Sequence, residues 1–180
     1  MNETKIISQK TVLKTKLFNV KKLKLILSTG SKRTHYIAER IPIVSVLPIT
    51  DDYEVYLVNQ YRYLLGKVML EAVAGHVEEN ETPLAAAKRE LKEETGITAV
   101  QWEELARTET AASAFRSKVH TFLAKGLEMG KQEPIEGEDI TVVKISLKDA
   151  LEKVVNGEIN HSATMIGIFL LDKLRREQKL

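Results

Sequence analysis

Apolar and polar positions along this chain change period several times, and each change marks an element. From Thr11 to Ile26, Val, Leu, Phe and Ile interleave with lysine, the pattern of an exposed strand or pair of strands, and Ser28-Thr29-Gly30-Ser31 supplies a turn. Ile41 to Leu47 is rich in β-branched residues and bounded by prolines. Glu54 to Tyr61 alternates Val55, Leu57 and Asn59 against Tyr56, Val58 and Gln60, with Thr50-Asp51-Asp52 as a turn before it. These two strands are expected to be neighbours in one sheet. The period then becomes helical: Thr82 suits an N-cap, Pro83 the first helical position, and Gly96 a left-handed C-terminal stop, so a helix is predicted over Pro83 to Thr95. Val119 to Ala124 and Ile140 to Ile145 read as strands. Between them Lys125 to Asp139 holds three glycines, a proline and four glutamates, which is acidic-loop chemistry. Ser146 with Asp149 predicts a capped helix to about Asn156, and Ser162 is expected to cap an amphipathic helix through Leu174.

Composition narrows the chemistry. The 180 residues contain no cysteine, which excludes disulfides, a thiolate nucleophile, Cys-ligated zinc and iron–sulfur clusters, and fits a reducing compartment. The apolar runs at Ile41 to Ile49 and Met165 to Leu171 are too short to span a bilayer, so a soluble, cytoplasmic protein is expected. Net charge is only +2, but residues 1–40 carry ten Lys or Arg against Glu3 and Glu39, whereas residues 71–109 carry ten Glu against Lys88, Arg89, Lys92 and Arg107. The basic arm reads as a solvated strand face that discourages edge pairing; a polyanion-binding arm is the alternative, without a nucleic-acid motif or aromatics to support it.

The acidic middle contains the candidate chemistry. Glu90, Glu93 and Glu94 stand at i, i+3 and i+4, so three carboxylates emerge within one turn of one helix. Such crowding needs either full solvation or a positive partner, and Arg89 neutralises only part of it. Oxygen ligands without Cys or nearby His suit a hard cation, Mg²⁺ or Mn²⁺. The four histidines, His35, His76, His120 and His161, show no zinc spacing. No complete phosphate loop, Gly-x-Gly-x-x-Gly or Gly-x-Ser-x-Gly elbow occurs, so kinase, dehydrogenase and serine-hydrolase readings have no motif behind them.

Around the carboxylates a longer pattern runs Gly75, five residues, Glu81, seven residues, then Arg89-Glu90-Leu91-Lys92-Glu93-Glu94-Thr95-Gly96-Ile97. Seven fixed positions at roughly a tenth each would match by chance about once in 10⁷ starts, which favours a functional motif over a solvated acidic helix. The pattern is the Nudix box, and the chain resembles the Nudix hydrolases. Gln60-Tyr61-Arg62, Glu71-Ala72-Val73-Ala74-Gly75 and Gly157-Glu158-Ile159 make it most similar to the ADP-ribose pyrophosphatase subgroup. The resemblance implies a mixed α/β (α+β) sheet in an α/β/α sandwich, with an N-terminal β extension at 1–38 that could cross to a partner in a homodimer and a Nudix domain at 39–180.

By position, the resemblance makes Glu90 and Glu94 the principal metal ligands, with the carbonyl of Ala74 beside them and Glu93 sharing or assisting. Arg89 would orient Glu93. The base that takes a proton from the attacking water would come from Glu136-Gly137-Glu138-Asp139-Ile140, with Glu136 as base and Glu138 as a further metal contact, or the two exchanged. Arg62 and Glu71 are placed in the substrate-binding set, Arg62 as a phosphate or ribose contact.

The chain departs from the subgroup at Val73, where proline is frequent. It departs more at Ala112-Ser113-Ala114-Phe115 and Arg116-Ser117-Lys118, where the subgroup often has Ser-Pro-Gly and then an acidic residue. Arg116 and Lys118 would favour a more anionic substrate, and Phe115 would stack on a base or fill the core. Three functions follow: a Mg²⁺-dependent pyrophosphohydrolase of ADP-ribose, a pyrophosphatase of nucleotide sugars such as GDP-mannose, and a nucleotide-binding sensor without turnover. No nucleic-acid or membrane partner is expected.

Overall fold

Strand-forming residues interleaved with lysine run further than Thr11 to Ile26, and the computed structural model, which describes residues 3–110, 113–132 and 139–180, shows three strands there. β1 (Lys5–Lys14), β2 (Phe18–Ile26) and β3 (Lys32–Arg40) form an antiparallel meander, and a two-residue strand, β9 (Phe115–Arg116), pairs parallel to β3. This sheet belongs to one compact unit, Met1–Pro42 with Thr108–Lys118; the other comprises Ile43–Arg107 with Val119–Leu180. The first unit thus takes in residues 108–118 as well as the N-terminal strands. β1 lies at the sheet's edge with all ten residues exposed. Lys5, Lys10 and Lys14 and two register shifts interrupt that edge, both devices that discourage indiscriminate pairing.

In the second unit β4 (Ile43–Pro48) lies between β7 (Val73–His76), antiparallel to it, and β10 (Lys118–Met129), parallel to it, with β8 (Ile97–Glu109) outermost. A second sheet has the order β11 (Ile140–Ser146), β5 (Glu54–Arg62), β6 (Lys67–Glu71), all antiparallel. β4 and β5 are therefore not the sheet neighbours expected from the short turn between them. Each has both edges occupied by other strands, and only an isolated bridge from Ile49 to Val55 joins their ends.

Helix α1 (Pro83–Thr95) has the predicted limits because its caps are local: Thr82 Oγ1 accepts from Ala85 N–H at 3.2 Å, and Gly96, at φ 73°, donates to the Lys92 carbonyl. Ser146 caps α2 (Leu147–Val155) by accepting from Asp149 N–H at 3.0 Å. In α3 (Ser162–Arg176) the N-cap is His161 rather than Ser162, since His161 is the last extended residue and Ser162 is already helical. His161 makes no side-chain cap bond.

Val46 and Leu47, consecutive on β4, enter different cores. Val46, with Val44, packs among Ala86, Ala87 and Leu91 of α1, while Leu47 packs among Leu147 and Ala150 of α2 and Ile168 and Leu171 of α3. The strand is buried on both faces, which is the expected sandwich of sheet between helices. Each fully buried leucine contributes about 1.5–3 kcal/mol.

Gly96 also faces the start of the acidic loop. A side chain there would be in the left-handed region and its Cβ would lie 2.6 Å from the Gln132 nitrogen and 2.7 Å from the Gly130 oxygen. Gly96→Ala is expected to lose about 2 kcal/mol or more in urea unfolding; a loss under about 0.5 kcal/mol would show that this close approach is not required.

Candidate active site

The buried stripe of α1 runs Ala86, Ala87, Glu90, Leu91 and Glu94, so an apolar face becomes acidic halfway along. Glu90 is 8% exposed and Glu94 6%. Carboxylates are not placed in such a stripe for packing, because desolvating them costs several kcal/mol unless charge or hydrogen bonds compensate. Gly75 of β7 lies directly against Glu90: a Cβ on Gly75 would overlap both oxygens of the Glu90 carboxylate. A side chain at this position would have to push the end of Glu90 aside. Ala74, its chain neighbour, pairs with Ser45 of β4, which fixes the strand from the other side.

Arg89 is the organising cation. Its Nε and Nη2 donate to the two oxygens of Glu81 at 3.0 Å each, its Nη1 to Glu90 at 2.7 Å and Glu93 at 3.1 Å, and Nη2 also to the His76 carbonyl at 3.0 Å. The guanidinium binds Glu81 in the planar, two-pronged manner that lysine cannot reproduce. Hydrogen bonding to Glu81, then to Glu90 and Glu93, raises the Arg89 pKa, and the bond from Arg89 lowers that of Glu81. Arg89 thus meets Glu90 as well as the Glu93 expected from sequence. The part played by Glu81 was not inferred; its box position was the available signal.

At the C-terminal end of α1, Gln132 Nε2 donates to the Glu94 backbone carbonyl at 2.7 Å and Gly130 N–H to the Gly96 carbonyl at 2.9 Å. Helix ends leave carbonyls without helical partners, and these bonds satisfy two of them. They also tie Gly130 and Gln132 to the helix that carries the carboxylates. Glu136 and Glu138, like Ala112, lie outside the described residues.

Arg62 and Glu71 are brought together. Arg62 Nε and Nη2 donate to the two Glu71 oxygens at 3.0 and 2.6 Å, and Glu71 is 1% exposed. Glu71 therefore acts on its surroundings through Arg62, fixing the plane of the guanidinium. His161 Nδ1 stands 3.0 Å from Thr164 Oγ1, three residues on, and 3.7 Å from Glu71, a neighbour not anticipated from the sequence because it is remote along the chain. Phe115 and Arg116 belong to the first unit, on β9, where Arg116 Nη1 donates to Glu39 at 2.9 Å.

Among the described residues no three His, Asp or Glu side chains gather as a closed metal cage. A magnesium site does not demand one, because Mg²⁺ keeps several waters and is commonly held by one or two carboxylates together with substrate phosphates. Two nearly buried glutamates on one helix face, one lying against a glycine backbone, are a hard-oxygen donor set of that kind.

The NUDIX domain model matches residues 39–163. The chain is 32% identical to an ADP-ribose pyrophosphatase of Bacillus subtilis over 91% of this chain and 92% of that protein. It is 31% identical to a methanol dehydrogenase activator of Bacillus methanolicus, over 91% and 92% respectively. A crystal structure of an ADP compounds hydrolase superposes with a TM-score of 0.85 at 26% identity, covering 99% of this chain and 97% of that one. The chain belongs to the Nudix family. Its fold and its enzyme class, a hydrolase of phosphorus anhydrides, are those the box pointed to.

Because the obstacle to a Cβ on Gly75 is the far end of one side chain, Gly75→Ala should fold while displacing Glu90. The unfolding temperature is expected to stay within about 3 °C of wild type while Mn²⁺ affinity, read by electron paramagnetic resonance, falls about tenfold or more. Unchanged affinity would mean that the Glu90 carboxylate position is irrelevant to cation binding.

Proposed function

We propose that this protein is a Mg²⁺-dependent pyrophosphohydrolase, with Mn²⁺ as an alternative ion, whose substrate is ADP-ribose. Water adds to one phosphorus of the diphosphate and the bridging P–O bond breaks, giving AMP and ribose 5-phosphate. The observation that carries this reading is the pair Glu90 and Glu94, nearly buried one turn apart, with Glu90 against Gly75. Glu90, Glu94 and the Ala74 carbonyl would hold the cation, with Glu93 close enough to share. When bound, a divalent ion neutralises the crowded phosphates and acidifies water.

The chain's own residues do the rest. Arg89 restrains Glu90 and Glu93 while Glu81 restrains Arg89, so the carboxylates meet the ion already oriented. Glu136 takes the proton of the attacking water and Glu138 adds a metal contact. Arg62, its guanidinium plane fixed by Glu71, would meet a phosphate or ribose oxygen of the substrate. Phe115 and Arg116, in the first unit, are further candidates for substrate contact. β1, with Ile6, Ile7, Val12 and Leu13 about half exposed, would pair with a second copy in a homodimer. A cytoplasmic setting suits a chain without cysteine; among the described residues no helix is long and apolar enough to cross a membrane.

Purified protein with Mg²⁺ is to be assayed for AMP release from ADP-ribose beside GMP release from GDP-mannose. ADP-ribose is expected to be the faster substrate, and Glu94→Gln and Glu136→Gln each to lower kcat by about 10²–10⁴. GDP-mannose turning over faster would move the assignment to nucleotide sugars. Ligand heat without product would favour the sensor, and a Glu94→Gln rate within twofold of wild type would end the enzymatic role of this helix.

A further inference from the structure

Ala72 is the step at which the chain leaves one sheet for the other: β6 ends at Glu71, β7 begins at Val73, and neither ladder's register includes Ala72. A backbone amide at such a step has lost its strand partner, and Ala72, 1% exposed, cannot give its N–H to bulk water. The partner comes from α3. Ala72 N–H donates to Thr164 Oγ1 at 2.9 Å, and Thr164 is fully buried. Thr164 Oγ1 also lies 3.0 Å from His161 Nδ1, a contact in which either atom can donate. Burial lowers the His161 pKa, with Glu71 opposing and Arg62 reinforcing the effect, which favours the neutral ring.

The step is thus held on both sides. Glu71 is fixed by Arg62, and Ala72 by Thr164. Immediately beyond it come Val73, Ala74 and Gly75, and at Gly75 the backbone passes Glu90 with no room for a methyl group. The position of the strand at Gly75 therefore decides where the Glu90 carboxylate can lie.

We infer that Thr164 is a positioning residue for the cation site: its hydroxyl anchors the sheet-to-sheet step at Ala72 so that Ala74 and Gly75 lie correctly against Glu90. The inference rests on the reading of Ala74, Glu90 and Glu94 given under Proposed function. Thr164 and His161 touch no reacting atom. They act through the backbone, from a helix outside the Nudix box.

Thr164→Val keeps the side-chain shape but orphans the Ala72 amide, Thr164→Ala leaves space for a water there, and Thr164→Ser keeps the hydroxyl. Three readouts are taken on each purified protein: Mn²⁺ affinity by electron paramagnetic resonance, hydrogen exchange at the Ala72 amide, and thermal unfolding. The valine variant is expected to bind Mn²⁺ about tenfold more weakly with faster exchange at Ala72, the alanine variant to fall between, and the serine variant to stay within about twofold of wild type. A merely structural role would lower the unfolding temperature without moving the Mn²⁺ affinity of the folded protein. Affinity within about twofold of wild type in both the valine and alanine variants would overturn the inference and leave the pairing of β7 with β4 as the sole support. If the valine variant does not fold, the alanine and serine pair decides in the same way. Wild type that binds Mn²⁺ yet hydrolyses nothing in the substrate panel leaves the inference standing and removes the substrate reading; wild type that binds no Mn²⁺ overturns both.

Discussion

Two carboxylates buried one turn apart on the same helix face are the constraint around which this domain is built. At the roughly 6 Å typical of i, i+4 side chains, an effective dielectric of about 20 gives a repulsion of about 3 kcal/mol, before desolvation is counted. Leucine at either position would extend the apolar stripe of Ala86, Ala87 and Leu91 and remove that cost. Packing therefore does not account for Glu90 and Glu94. Arg89 offsets part of the repulsion at Glu90, and a divalent cation would turn the rest into shared coordination.

The surrounding structure reads as restraint on that helix. Arg89 and Glu81 grip it near the carboxylates, Gly130 and Gln132 hold its C-terminal end, and β7 lies against its acidic face at Gly75. β7 in turn is set by its ladder with β4 and by the step at Ala72. Each restraint uses backbone groups or a two-pronged ion pair, arrangements that allow little drift. Were the carboxylates to hold an ion, this restraint would spare the cost of first ordering long glutamate side chains.

What the sequence disclosed was mainly local. The limits of α1 were legible because Thr82, Pro83 and Gly96 act within a few residues of one another, and Ser146 announced α2 in the same way. The box located Glu90, Glu93 and Glu94 because their spacing is itself the chemistry. β3 was expected only as part of the N-terminal β extension, and β6, β7, β8 and β9 were not anticipated: β9 has two residues and β7 four, and β8 runs Trp102-Glu103-Glu104-Leu105, which breaks a two-residue alternation. The expected pairing of β4 with β5 failed because a short turn suggests a hairpin, whereas strand edges are assigned by partners distant in sequence. The bond from Ala72 to Thr164 spans 92 residues, and no spacing rule reaches that far. His161, which shows no zinc spacing, has Thr164 three residues on but meets Glu71 only in the fold.

The central claim is that the acidic face of α1 holds a divalent cation against a diphosphate. Its most direct measurement is a crystal grown with Mn²⁺ and an ADP-ribose analogue whose bridging oxygen is replaced by methylene, recorded for anomalous scattering. The account predicts a manganese peak within coordination distance of both Glu90 and Glu94 and of the analogue's phosphate oxygens. A well-ordered analogue with no anomalous density beside those two carboxylates would contradict it.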